Sequence, residues 1–328
     1  MLVRIAFLPL CALILPVYGN FTYSYNLSSK EGTVTGYDGT DENVVIPSTF
    51  RVSEKYTDED DGETHTRYHT IKVVSIGASA FSGKTNIKSV TFPSGLRIIG
   101  DSAFEGCKGI AGEIDLSNVP SISSSAFNGC SGITSVKFSD ALETIGGSAF
   151  YGCTSLVSVK TPESLKSLGG AVFYGCTSLE EAEINGTNLN LYWASSVFMN
   201  CKNLQKVTFG DGVVGELGWG LFDNCSALKS VTVGRGVTSV PQRFLSRCGS
   251  DEEIEVSFLG VISSVDIYAF ANHRIKSLNI TLSDCQVGNY AFYGCPAVTS
   301  ENVDFSEIVS IGDSAFEGCK GIAGEIDL

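Results

Sequence analysis

The chain has little of what most protein chemistry uses. Three histidines must serve 328 residues, so a nucleophile has few bases to activate it. No G-x-S-x-G elbow and no phosphate-cradling glycine loop occurs. No C-x-x-C pair is present, so a zinc site has no support from spacing. Cations are scarce: 22 Lys and Arg stand against 36 Asp and Glu, for a net charge of −14. That balance argues against a nucleic-acid binder, which needs clustered Lys and Arg. Proline is rare at 8 residues, and beyond Val17 no apolar run is long enough to span a bilayer. These absences set the expectation of no enzyme, no cofactor and no metal site.

What is present is apolar and glycine-rich. Hydrophobic residues make up 43% and charged residues 18%, a composition that folds. Glycine numbers 36, which suits many tight turns between short strands. The opening MLVRIAFLPLCALILPVYGN has a basic head at Arg4 and an apolar run from Ile5 to Val17. With Val17 and Gly19 small enough for a cleavage site, residues 1–19 are expected to be a signal peptide.

One phrase then returns. IGGSAFYGCTSL at 145–156 is followed by LGGAVFYGCTSL and, near the end, IGDSAFEGCKGI. Its Phe recurs at 81, 104, 127, 150, 173, 198, 222, 244, 270, 292 and 316, at intervals of 22 to 26 residues. A steady period in the twenties marks a solenoid. The skeleton is I-G-x-x-A-F-x-G-C-x-x-L-x-x-V-x-F/L. In one coil it is Ile145, Ala149, Phe150, Cys153, Leu156, Val159 and Leu165. The end of the phrase alternates with period two, as a short strand with Val inward. Stacked, these strands make a parallel sheet. Gly152 is expected at a positive φ, and Ala is expected to permit the close turn before Phe. No coil buries its Phe, Leu and Val alone, so neighbours must do so.

This motif, recurring from Ile76 onward, resembles the BspA-like, treponemal-type leucine-rich repeat family. The stretch GTVTGYDGTDENVVIPSTF resembles that family's amino-terminal coil. The resemblance implies a right-handed leucine-rich repeat solenoid with its parallel β-sheet on the concave face, mostly β and turns with little helix. It also implies a secreted or cell-surface protein of bacteria or protists that mediates adhesion or protein–protein binding without catalysis. The expected organisation is residues 1–19 signal peptide, 20–70 amino-terminal capping coil with an acidic insert, and 71–328 repeat array of about eleven coils, the last incomplete. Residues 99–116 recur identically as 311–328, so the array is expected to stop in mid-coil. An uncapped end suggests the alternative role of a cell-coat element that self-associates through its coils.

Nine cysteines sit on the repeat: Cys107, Cys130, Cys153, Cys176, Cys201, Cys225, Cys248, Cys295 and Cys319. Stacking would align them within disulfide reach, but with parallel side-chain vectors. A structural thiol ladder of small hydrophobes is expected, with disulfides as the alternative. Cys285 lies off the row and is expected to be the exposed or disulfide-forming thiol. The coils around Phe244 and Phe270 depart from the pattern: Ser239 stands for Ile, Arg243 for Ala and His273 for Cys. Looser packing is therefore expected over 239–285.

Partners are expected to be extracellular or cell-surface proteins. The outward strand positions Thr91, Lys137, Lys160, Glu183, Lys206, Thr208 and Thr232 are the candidate ligand-binding set, although a plain soluble sheet face would read the same. Tyr151, Tyr174 and Met199, one residue after Phe, form either an exposed apolar strip or packing on the next coil's turn. Trp193 falls in the Ile position and reads as core; Trp219 reads as more exposed. His65 and His69 beside the acidic stretch EKYTDEDDGET read as a solvated loop, since the EF-hand and H-E-x-x-H patterns both fail. Sequons stand at Asn20, Asn26, Asn185, Asn224 and Asn279, with Asn224 and Asn279 the doubtful two.

Overall fold

A computed structural model describes residues 15–18, 20–245, 248, 254–271 and 275–322. Residues 1–14 and Gly19 of the expected signal peptide, His273 and 323–328 lie outside the described residues. Leu15–Tyr18 pairs antiparallel with Phe21–Asn26.

Two further antiparallel pairs follow. Phe21–Asn26 pairs antiparallel with Glu31–Tyr37, and Thr49–Thr57 pairs antiparallel with Thr64–Ile76. The acidic stretch 58–63 is the hairpin turn of the second pair. Tyr23 and Phe50 stack at 4.1 Å under the first coil, and Phe21 and Tyr37 both touch Phe81.

From there the chain winds as a three-sided β-solenoid of coils of about 23 residues. The only helix among the described residues is a 3-10 turn, Phe305–Glu307. On the first side the longer strands run parallel. Val159 registers with Ala182, then Val207, Val231, Val256 and Leu278 in turn. On the second side the end of strand Thr64–Ile76 and a series of two-residue strands align Ile76, Ile99, Ile122, Ile145 and Leu168. The third side is the turn that carries Phe. Its N–H bonds to the next coil as a strand's would: Phe104 donates to Ala126, Phe127 to Ala149 and Phe150 to Val172, at 2.8 to 3.0 Å. Backbone polar groups are thereby satisfied on all sides by the adjacent coil, which is why coils must stack.

The Phe side chains fill the axis. Phe81 through Phe222 stack face to face, with centroids 4.7 to 6.1 Å apart and planes within 14°. All of these are fully buried.

The turn needs two left-handed residues. Gly152 has φ 66°, as expected, and a Cβ there would meet only the Gly129 Cα at 4.0 Å, so conformation and not space selects glycine. In two coils Asn200 and Asn224 hold this place at φ 66° and 63°, which Asn tolerates. The second left-handed place, two residues before Phe, carries side chains: Ser102, Ser125 and Ser148 lie at φ 53° to 57°.

That second place corrects the register of one coil. Arg243 has φ 54°, so Leu245 and not Phe244 holds the Phe position, and Val240 holds the Ile position. All three apolar side chains are buried. Phe244 fills the position expected of Ala and meets Phe222 and Phe270 edge-on. Val172, Val197 and Leu221 fill the same position, so the close turn does not require Ala. Among the described residues of 239–285 the core stays filled; residues 246–247, 249–253 and 272–274 lie outside the described residues. Val256, Phe258, Ile262, Val265, Phe270 and Leu278 are all buried, because the register shift restores the core.

Candidate functional site

The thiol row has the geometry of a packing part. Cys107, Cys130, Cys153, Cys176, Cys201, Cys225, Cys248, Cys285, Cys295 and Cys319 are free and buried. Seven Phe carbonyls, those of Phe81, Phe104, Phe127, Phe150, Phe173, Phe198 and Phe292, each accept two donors. Phe104 O takes the Cys107 N–H at 3.1 Å and the Cys130 S–H of the next coil at 3.1 Å. The same S–H donation joins Cys107 to Phe81, Cys153 to Phe127, Cys176 to Phe150, Cys201 to Phe173, Cys225 to Phe198 and Cys319 to Phe292. Cys248 instead donates to Leu245 of its own coil. Burial pushes the Cys107 thiol up to about 11 and Cys153 up to about 12, which suppresses the reactive thiolate. Cys285 corrects its expected exposure: it is fully buried, and burial raises its pKa to about 11. Asp284, at φ 47°, interrupts the alternation of strand Ile275–Val287 and turns Cys285 inward.

The candidate binding positions are divided among three sheets: Thr91 on one, Lys137 on a second, and Lys160, Glu183, Lys206, Thr208 and Thr232 on the largest. Asp115 registers with Lys137, Lys160 with Glu183, Glu183 with Thr208 and Thr208 with Thr232. Thr91 lies on the shorter pair at the start of the first side. Yet the lysines already have partners. Lys137 reaches Asp115 at 3.4 Å, Lys160 reaches Glu183 at 2.8 Å and Lys206 reaches Glu181 at 2.7 Å. The hydrogen bond from Lys160, then one from Asn185, holds the Glu183 carboxyl below its usual range. A ligand here must displace cross-strand pairs, and these positions include no aromatic anchor.

Of the apolar strip, Tyr151 and Tyr174 stack at 4.6 Å with planes 6° apart. Tyr151 is exposed, while Tyr174 and Met199 are half-buried. In the hairpin turn, Asp58, Asp61 and His65 bring ligand atoms within 4.8 Å of one another. Asp61 already binds His65 Nε2 at 2.9 Å, and His69 meets Glu54 at 3.0 Å. Of the sequons, Asn185 is buried, bonded to the Thr161 carbonyl and to Glu183; Asn224 and Asn279 are exposed, with Asn279 in mid-strand and their amides donating to Asn200 and Ser257.

The structure adds a groove that sequence reasoning missed. Trp193 is 85% exposed, against its expected place in the core. The interval between Phe173 and Phe198 is 25 residues, two more than the basic coil. Leu191 and Ala194 are buried, and the pair between them, Tyr192–Trp193, is pushed outside. The two rings meet edge-on at 4.7 Å. In the next coil Leu217 occupies the core and Trp219 stands 65% exposed, as expected. Between these walls lies a cavity of about 300 Å³, with Glu216, Gln242 and Asp266 on its lining. Its floor is built on registered strand positions, Glu216 beside Ser239 and Ser239 beside Ser264. The long coil interval was the available signal.

A family model described as a BspA type leucine-rich repeat region matches residues 68–180, 192–299 and 286–326, in six copies. The solved leucine-rich repeat protein of T. pallidum is similar at 30% identity, over 64% of this chain and 88% of that one, with a TM-score of 0.51. One from Bacteroides ovatus shares the fold at 24% identity, over 93% of this chain and 80% of that one, with a TM-score of 0.61. No curated protein matches the chain. Among the described residues no helix is long and apolar enough to cross a membrane.

Proposed function

Since the chain belongs to the BspA-type leucine-rich repeat family, we propose that it is a secreted or cell-surface protein that binds other proteins, adhering to host or neighbouring cells without catalysis. The observation that carries this reading is the set of aromatic rings held outside a rigid stack. Tyr192, Trp193 and Trp219 are exposed although the same chain buries a Phe at nearly every coil. Trp and Tyr are the residues that most often dominate protein interfaces. Exposing them costs solvation free energy, so a fold that does so without a core reason presents them for contact. Export in this reading is supported by the basic head and apolar run at residues 1–19, the pattern expected of a signal peptide. The paired lysines Lys137, Lys160 and Lys206 act in this reading as a rim that excludes unsuitable charge, and not as anchors.

Binding of the labelled full chain to intact cells tests the reading. Saturable binding that disappears when surface proteins of the target cells are removed by protease is the expected result. Binding that does not saturate, or that survives the protease, would overturn it. So would concentration-dependent self-association as the sole interaction, which would favour a coat element.

A further inference from the structure

We propose that the groove between Trp193 and Trp219 is a receptor for a single lysine or arginine side chain on an exposed basic segment of a partner protein. The inference rests on the protein-binding reading above and names the chemistry that such a partner must bring.

Charge is the first argument. The cavity carries two carboxylates, Glu216 and Asp266, and its lining among the described residues has no Lys, Arg or His. Glu216 has no ion pair among the described residues, and Asp266 spends one oxygen on the Ile267 N–H at 2.7 Å. Several surface carboxylates elsewhere, Glu183, Glu143, Glu181, Asp211 and Glu255, are paired with a cation of an adjacent coil. Here the acids face a cavity instead.

The walls are the second argument. Three aromatic rings border the same space, and a cation over a Trp or Tyr face is attracted by the ring quadrupole. The apolar stem of Lys or Arg packs on such rings while its head reaches a carboxylate. Gln242, Ser239 and Ser264 supply further acceptors for N–H donors. At about 300 Å³ the space is at the lower end of ligand pockets, suited to one side chain or one small group. A neutral glycan could use rings and hydroxyls alone, but it would leave two carboxylates without a charge partner.

The chain has only two tryptophans, so its tryptophan emission reports this groove and nothing else. The full chain is titrated with a short oligo-lysine peptide, an oligo-arginine peptide, an oligo-glutamate control and a neutral oligosaccharide. Saturable emission change with the basic peptides only, weakened by added salt, is the expected result. Trp219→Ala, and separately the isosteric pair Glu216→Gln with Asp266→Asn, should each weaken it by about fivefold or more. These positions are exposed, and retained circular dichroism and unchanged unfolding midpoint would show that the variants fold. A response to the oligosaccharide but not to the basic peptides would overturn the inference, as would no response at all. Basic-peptide binding that the paired carboxylate variant leaves intact would overturn it too. Cell binding that persists when basic peptides fail to compete would sink this inference while leaving the protein-binding reading standing.

Discussion

Replacing Phe150 with alanine should weaken the array locally and severely. The ring is fully buried and lies between Phe127 at 5.4 Å and Phe173 at 5.8 Å, with Phe138 edge-on at 5.9 Å. Emptying such a site removes the transfer free energy of the ring and leaves a cavity that two rigid neighbours cannot close, a loss of about 3–5 kcal/mol. The stacked contacts contribute part of this, about 0.5–1.5 kcal/mol each. Leucine is the informative control, because the chain itself places Leu245 in this position and buries it completely. Phe150→Leu keeps most of the volume, and its cost should stay below about 1.5 kcal/mol. Each coil touches only its neighbours, so the deficit should fall on the coils of Phe127, Phe150 and Phe173 before it reaches the rest. Urea unfolding followed by circular dichroism measures the total, and hydrogen exchange locates it. An alanine cost below about 1 kcal/mol, or equal costs for alanine and leucine, would refute the picture of a filled axial stack.

Stability should fall with rising pH in a window set by the thiols. Below about pH 9 the thiols are protonated in both states; above it the unfolded chain ionises while Cys107 at about 11 and Cys153 at about 12 do not, so unfolding gains. The loss is up to about 1.4 kcal/mol per pH unit per thiol, and a Cys153→Ala chain should show a shallower slope of unfolding midpoint against pH. Asn185→Ala removes donors to the Thr161 carbonyl and Glu183 in a buried setting and should cost about 1–3 kcal/mol by urea unfolding. Tyr23→Phe should be neutral or stabilising by up to about 1 kcal/mol, because the Tyr23 hydroxyl is buried with no partner among the described residues. A marked loss of thermal stability in that variant would point to an unseen partner for the hydroxyl.

Much of this was legible from the repeat. The inward Phe, Leu and Val, the left-handed Gly152 and the aligned cysteines all follow from one constraint, that an apolar residue at a fixed interval must be covered by the next coil. The outward positions from Lys160 through Glu183 and Thr208 to Thr232 follow from the same register. What failed did so where residue identity or a fixed count misplaced the register. Phe244 matched the motif by identity, but the backbone is anchored by the left-handed place at Arg243, and that put Leu245 on the axis. Trp193 matched the Ile position by counting back from Phe198, yet two extra residues let Leu191 take the core and freed the Trp. Cys285 is expected outside because it lies off the row, yet the interruption at Asp284 turns it inward. Counting in one direction assumes a fixed coil length, and the groove exists because that length varies. The lysine pairings were beyond reach for another reason: partner choice between exposed side chains depends on cross-strand geometry that residue types alone do not give.

Native-state hydrogen exchange at the Phe positions is the most direct test of the account. Amides of Phe104, Phe127, Phe150 and Phe173 donate to the next coil at 2.8 to 3.0 Å, so they should be among the slowest in the protein, and protection should recur with the repeat. Rapid exchange at these amides, or protection without that recurrence, would contradict a solenoid whose turns are bonded one upon another.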